Sequence, residues 1–154
     1  MPDDLARLAY EASLRRLDKQ EASLSELRSR TGLLLAASSL AASFLGRPAL
    51  DAEPFFLAVV AFAAFAISIA ASLYVLLPQK AFVFSLVGSN VYEELYEFRD
   101  DLSEVRRRLA YDLDRFWEAN DRAMQAVFRA FRVATVALGA EIVLLLAALS
   151  GTLS

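Results

Sequence analysis

Few side chains in this sequence can do chemistry, and one of them stands apart. Glu141 is the only charged residue in the apolar run Val133 to Leu149, and it falls within a residue of the middle of that run. An acid at the centre of a membrane-spanning helix costs roughly 2.5–3.5 kcal/mol on insertion scales, so it has to face protein or water. Ser38 and Ser39 lie near the middle of one earlier apolar run and Ser68 near the middle of another, which lets all four residues meet at one depth. Two chemistries fit that grouping. One is a structural hydrogen bond between a protonated Glu141 and the serines; the other is a pore, gate or proton-path residue. Other chemistries find no residues to carry them. The chain has no Cys and no His, which removes disulfides, thiolate and imidazole metal sites, and every catalytic triad that needs an imidazole base. No nucleophile–base pair, phosphate-cradling loop or metal-ligand cluster is visible, so neither an enzyme nor a bound cofactor is expected.

The elements that must position these residues are helices. Of the 154 residues 57% are hydrophobic, above the 45–50% or so of soluble domains, and the excess is gathered in blocks. Residues 3–30 read as a charged amphipathic helix with Asp3 as its N-cap and the pairs Asp3–Arg7, Glu11–Arg15 and Glu26–Arg30 at i,i+4. Residues 31–50 form a first span. Its small-xxx-small pairs Gly32/Ala36, Ser39/Ser43 and Ala42/Gly46 suit close helix packing. Arg47 to Pro54, with two prolines, reads as a short turn. Phe55 to Leu77 is twenty-three residues without a charge, a second span that Pro78 ends. Ala81–Val87 reads as a connector or an elbow, and Gly88 and Ser89 break the chain.

A long helix follows, with Asn90 as cap and Glu93 completing a capping box. Residues 90–131 are expected as a cytosolic stalk that continues into a third span over 132–150. Its apolar stripe runs Leu95, Phe98, Leu102, Val105, Leu109, Leu113, Phe116, Met124, Val127 and Phe131. Counting Asn120 in its place, the stripe has a period of 3.6, which predicts nearly straight packing and not the supercoil of a seven-residue repeat. Leu102, Leu109 and Phe116 are candidates for an assembly face. Asn120 interrupts the stripe, either as a buried residue that fixes register and oligomer state or as an edge residue touching water. Arg106, Arg107 and Arg108 read as part of a solvated face. Phe128, Arg129, Phe131 and Arg132 form the aromatic and basic belt expected where a helix enters a bilayer.

Sixteen basic and nineteen acidic residues, interleaved along the helices, argue against a nucleic-acid surface. Their distribution sets a topology. Six Lys/Arg precede the first span and nine lie in residues 79–132, whereas the turn between the first two spans holds only Arg47. The positive-inside rule then places the N-terminus and stalk in the cytoplasm and the C-terminus outside. The fold class is all-α: a helical integral membrane protein of three spans, with an N-terminal amphipathic helix and a long helix continuous with the third span.

The stretch Phe55–Leu149 resembles the small prokaryotic antiphage membrane effectors of the SLATT and Pycsar transmembrane type. The likeness lies in an apolar hairpin, Leu77-Pro78 closing its second helix, an aromatic elbow at Phe82 and Phe84, and the long charged helix after it. That resemblance implies a homo-oligomer in the inner membrane that permeabilises or depolarises it when a cytosolic trigger protein or a nucleotide signal reports infection. No ligand-binding domain accompanies the helices, which leaves direct nucleotide sensing without a site. A membrane-anchored helical module that docks a cytosolic partner is the alternative.

Overall fold

Pro2 opens the first helix, where its missing N–H would have had no partner and its fixed φ suits the first turn. The computed structural model describes residues 2–51, 55–79, 82–84, 92–93, 95–98 and 100–150. The helices are α1 (Pro2–Leu50), α2 (Phe55–Leu76) and α3 (Leu102–Ser150), with a 3-10 turn at Tyr96–Phe98. The described residues include no strand. All three helices are long and apolar enough to cross a membrane, over Asp4–Leu50, Phe55–Leu76 and Leu102–Ser150. The chain divides into two compact units. The first comprises Met1–Ser25 and Gln79–Gln125, the second Glu26–Pro78 and Ala126–Ser154.

Three boundaries differ from the sequence expectation. Residues 3–30 and 31–50 are one helix, since nothing between Arg30 and Leu33 breaks the ladder; the Thr31 hydroxyl bonds back to the Leu27 carbonyl within it. That helix starts at Pro2, ahead of the expected Asp3 cap, whose side chain lies outside the described residues. The expected turn from Arg47 also shortens: α1 continues to Leu50 with Pro48 in its last turn. Burial explains the persistence, because Ala49 packs fully enclosed against Ala58, Ala61, Leu145 and Ala148. Pro54 lies outside the described residues. The long helix, finally, is interrupted. Gly88, Ser89 and Asn90 lie outside the described residues, Tyr92, Glu93 and Leu95 are helical, the 3-10 turn follows, and the continuous helix starts at Leu102. Asp101 is its cap. The Asp101 carboxylate accepts hydrogen bonds from the backbone N–H groups of Ser103 (3.0 Å) and Glu104 (3.1 Å) and from the Ser103 hydroxyl (2.8 Å).

The packing period is the larger correction. Along α3 the buried positions Leu113, Asn120, Val127, Ala134, Glu141 and Ala148 stand seven apart, and Ala110, Met124, Leu138 and Leu145 follow the companion series. On α1, Leu17, Leu24, Thr31 and Ser38 repeat at seven, accompanied by Ser13, Gln20 and Leu27. A period of 3.5 is that of coiled-coil seams, not of straight packing. The apolar stripe hid it because the seam is partly polar. Leu102, expected on the stripe, is 61% exposed; Leu109 and Phe116 are half-buried beside the seam.

In the second unit the small-residue pairs divide. Gly32, Ala36, Ser39 and Ser43 are exposed, whereas Gly46 is buried against α2, where an added Cβ would meet the Phe62 ring at 2.9 Å. Replacing a helical Gly with Ala gains about 1 kcal/mol of propensity, while overpacking costs about 1–3 kcal/mol. Gly46→Ala should therefore lower stability by up to about 2 kcal/mol in detergent unfolding. The same change in a Phe62→Leu background should stabilise.

The Asp101 cap carries a pH signature. Hydrogen bonds from the Ser103 hydroxyl and then from the Glu104 N–H hold its carboxyl below the ordinary carboxylate range. A depressed group stabilises above its unfolded value and loses that contribution as pH falls towards its folded one. Protection of the Ser103 and Glu104 amides, measured against their intrinsic exchange rates at each pH, should accordingly fall as the pH drops below the usual carboxylate range. Asp101→Asn should flatten that dependence, because its amide oxygen still caps, and Asp101→Ala should leave protection low at every pH.

Candidate functional site

The second unit encloses the polar residues Ser38, Ser68, Ser72 and Glu141 and exposes many large apolar ones. Glu141 is 1% exposed on the α3 seam. The Ser38 hydroxyl of α1 donates to Glu141 Oε2 at 2.5 Å, while Glu141 Oε1 is buried with no hydrogen-bond partner. On their own helices these two residues are flanked by Leu34, Leu35, Ala41 and Ala42 and by Ala137, Leu138, Leu144 and Leu145. Ser39, the neighbour expected beside Glu141, is exposed and bonds back to the Leu35 carbonyl. Ser68 is fully buried, but its hydroxyl donates to the Ala134 carbonyl at 3.2 Å. Ala134 precedes Glu141 by seven residues, roughly 10 Å along a helix. The expected single polar layer is thus two layers. The reason is the antiparallel course of α2: Ala58 and Ala61 pack against Leu145 and Ala148, so α2 presents Ser68 towards the other end of α3. Ser72, a turn further on, is buried with no partner for its hydroxyl, and the sequence had offered no signal for it beyond its spacing from Ser68.

The first unit holds the other polar position. Asn120 is fully buried, and its side-chain amide grips one residue of the connector on both sides: its Nδ2 donates to the Val83 carbonyl at 2.8 Å and its Oδ1 accepts from the Val83 N–H at 2.9 Å. Asn120 is thus the buried residue of the two readings and not the edge residue touching water, and its amide is taken up by the chain itself. Phe82 and Phe84, on either side, stack with ring centroids 5.6 Å apart, so the aromatic elbow is clamped at its centre. Gln20 of α1 donates to the Trp117 carbonyl at 3.3 Å, and Arg16 lies 4.0 Å over the Trp117 ring while pairing with Asp114 at 3.4 Å. These contacts set α1 and α3 parallel in this unit, with residues 16 and 20 level with 114 and 117. A groove of about 350 Å³ opens between Ala9, Ala12 and Ser13 of α1 and Arg107, Ala110 and Tyr111 of α3.

Two arginines of the run, Arg107 and Arg108, are held by Glu104 of their own helix. Arg107 contacts both Glu104 oxygens at 2.8 Å, and Arg108 bonds Glu104 at 2.8 Å while covering the Phe98 ring at 3.8 Å. The Arg107 and Arg108 hydrogen bonds draw the Glu104 carboxyl down to about 2, and Glu104 in turn raises Arg107. Of the expected belt, Phe128, Arg129 and Arg132 are exposed and Phe131 is half-buried. No group of clustered acids able to hold a metal occurs among the described residues. No protein-family model matches the chain, and neither a curated protein nor a solved structure does.

The Asn120 clamp makes its own prediction. Asn120→Ala strands the Val83 N–H and carbonyl, a loss of about 1–3 kcal/mol for part-buried groups. Chymotrypsin should then cut after Phe82 and Phe84 at a faster rate than in the native chain. Asn120→Asp, which retains the acceptor and loses the donor, should fall between the two.

Proposed function

We propose that this chain is a three-span protein of a prokaryotic inner membrane that assembles with copies of itself and, once triggered, permeabilises that membrane. The proposal carries forward the likeness to SLATT and Pycsar transmembrane effectors. One observation supports its membrane part: the second unit is arranged as for hydrocarbon and not for water. Leu33, Leu40, Phe44, Val59, Ile67 and Val136 lie open at its surface while Ser38, Ser68, Ser72 and Glu141 are enclosed. A water-soluble bundle places its residues the other way round. The positive-inside asymmetry supports a cytoplasmic N-terminus and stalk and an external C-terminus. Glu141, with an oxygen that still lacks a partner, is the pore or gate candidate, since a polar group with open bonding capacity can be re-satisfied by water or by another copy when the helices move. Leu109 and Phe116 flank the seam at the level where copies would associate. The trigger is a cytosolic protein or a nucleotide signal acting on the stalk.

A second reading, a membrane-anchored module that docks a cytosolic partner, draws on the groove beside Arg107 and Tyr111. One experiment separates the two. Overexpression in a bacterial host with membrane-impermeant dye, at levels that bypass the trigger, should stop growth and admit the dye, and Glu141→Ala should reduce uptake severalfold at equal membrane abundance. The docking reading expects no dye at all. It also expects Tyr111→Ala to abolish capture of a partner while Glu141→Ala leaves that capture intact.

A further inference from the structure

We propose that Glu141 and Ser38 form a proton-binding site whose occupancy holds the seam between α1 and α3 closed in the second unit. This rests on the membrane placement proposed above and adds to it a mode of regulation. The geometry assigns separate tasks to the two carboxyl oxygens. Oε2 is the acceptor for the Ser38 hydroxyl at 2.5 Å; Oε1, buried and without a partner, is the atom that takes the proton. An anion at this position has a single hydroxyl for compensation, whereas buried carboxylates elsewhere are stabilised by cations or by several donors.

Among the described residues, no such group faces it. On α1, Thr31–Gly46 carries no charge; Arg30 beyond it is paired with Glu26, and Arg47 lies nine residues past Ser38. On α2, Phe55–Leu76 carries no charge, and its one titratable side chain, Tyr74, is exposed and lies beyond Ser68 from the Ala58 and Ala61 end. On α3 the nearest charge is Arg132, nine residues before Glu141, and no charge follows it. The oxygen set also decides against a metal cation. Two carboxyl oxygens and one hydroxyl fall short of the six or more oxygens that a hard cation gathers. A proton needs only the one open oxygen.

The consequence is mechanical. With the proton bound, the carboxyl is neutral and sits at a seam position as a large polar side chain hydrogen-bonded across to α1. With the proton lost to water, the anion must be hydrated, and water reaches a seam position only if α1 and α3 part there. Loss of one proton is thereby tied to opening of the membrane unit at the level of residues 38 and 141.

The test uses the full chain in phosphatidylethanolamine/phosphatidylglycerol vesicles. Infrared spectra at neutral pH should contain a carboxylic-acid carbonyl band that Glu141→Gln removes and Ser38→Ala shifts, with helicity unchanged in both. Alkali should convert that band to carboxylate and, in the same pH range, raise release of an entrapped dye. Glu141→Gln keeps the neutral, hydrogen-bonding shape, so the pH dependence of release should be lost in it. A native protein with no acid band at neutral pH overturns the proposal, as does alkali-induced release that persists in Glu141→Gln. An acid band that titrates without dye release at any pH supports the proton site and counts instead against permeabilisation. Failure of the chain to float with the vesicles counts against the membrane placement.

Discussion

A polar side chain on a buried helical seam has to find its partner at its own level, and this requirement sets how α1 and α3 are paired. In the first unit the seam residue Gln20 reaches the Trp117 carbonyl; in the second the seam residue Ser38 reaches Glu141. Small residues, leucines, Met124 and Val127 fill most of the other seam positions, and they tolerate a slip of a turn far better than these pairs do. Sliding α1 along α3 by one heptad would bring Thr31 or Leu45 to the level of Glu141 and leave Ser38 among apolar residues. Apolar contacts supply attraction between the helices. The polar pairs select one alignment among several that attraction alone would accept.

The same side chains account for what could and could not be read from the amino-acid order. The helix over Phe55–Leu76 was legible to within a residue, because twenty-two uncharged, mostly apolar residues bounded by prolines have few other solutions. The Ser38–Glu141 contact was half legible: the acid announced itself by its setting, while the choice of Ser38 over Ser39 depended on which serine falls on the seam. Only seven-residue counting through polar positions would have shown that. The start of α3 was misjudged for a related reason. Asp101-Leu102-Ser103-Glu104 is itself a capping signal, but it sits inside a longer apolar rhythm that begins at Leu95 and conceals it. Pro48 misled in the opposite direction, since burial of Ala49 outweighs the local preference for a turn.

The Asn120 clamp lay beyond any counting rule. A primary amide has the same donor and acceptor as a peptide group, so Asn120 can pair with Val83 as a neighbouring strand would. The residue it grips lies 37 positions earlier, in a segment whose composition suggests only a connector. Periodicity speaks for the helix that carries Asn120 and is silent about what the helix holds.

The contacts that close each unit also impose an order on synthesis. Arg16 and Asp114 are separated by 98 positions and Ser38 and Glu141 by 103, so the first unit waits until synthesis has passed Asp114 and the second until it has passed Glu141. The helices α1 and α2 emerge first, with Ser38 lacking its partner. A lone serine is the cheaper residue to leave waiting, for it can bond back to its own helix as Ser39 and Thr31 do. The carboxyl of Glu141 has no such refuge, and it arrives last, when the hydroxyl that receives it is already in place.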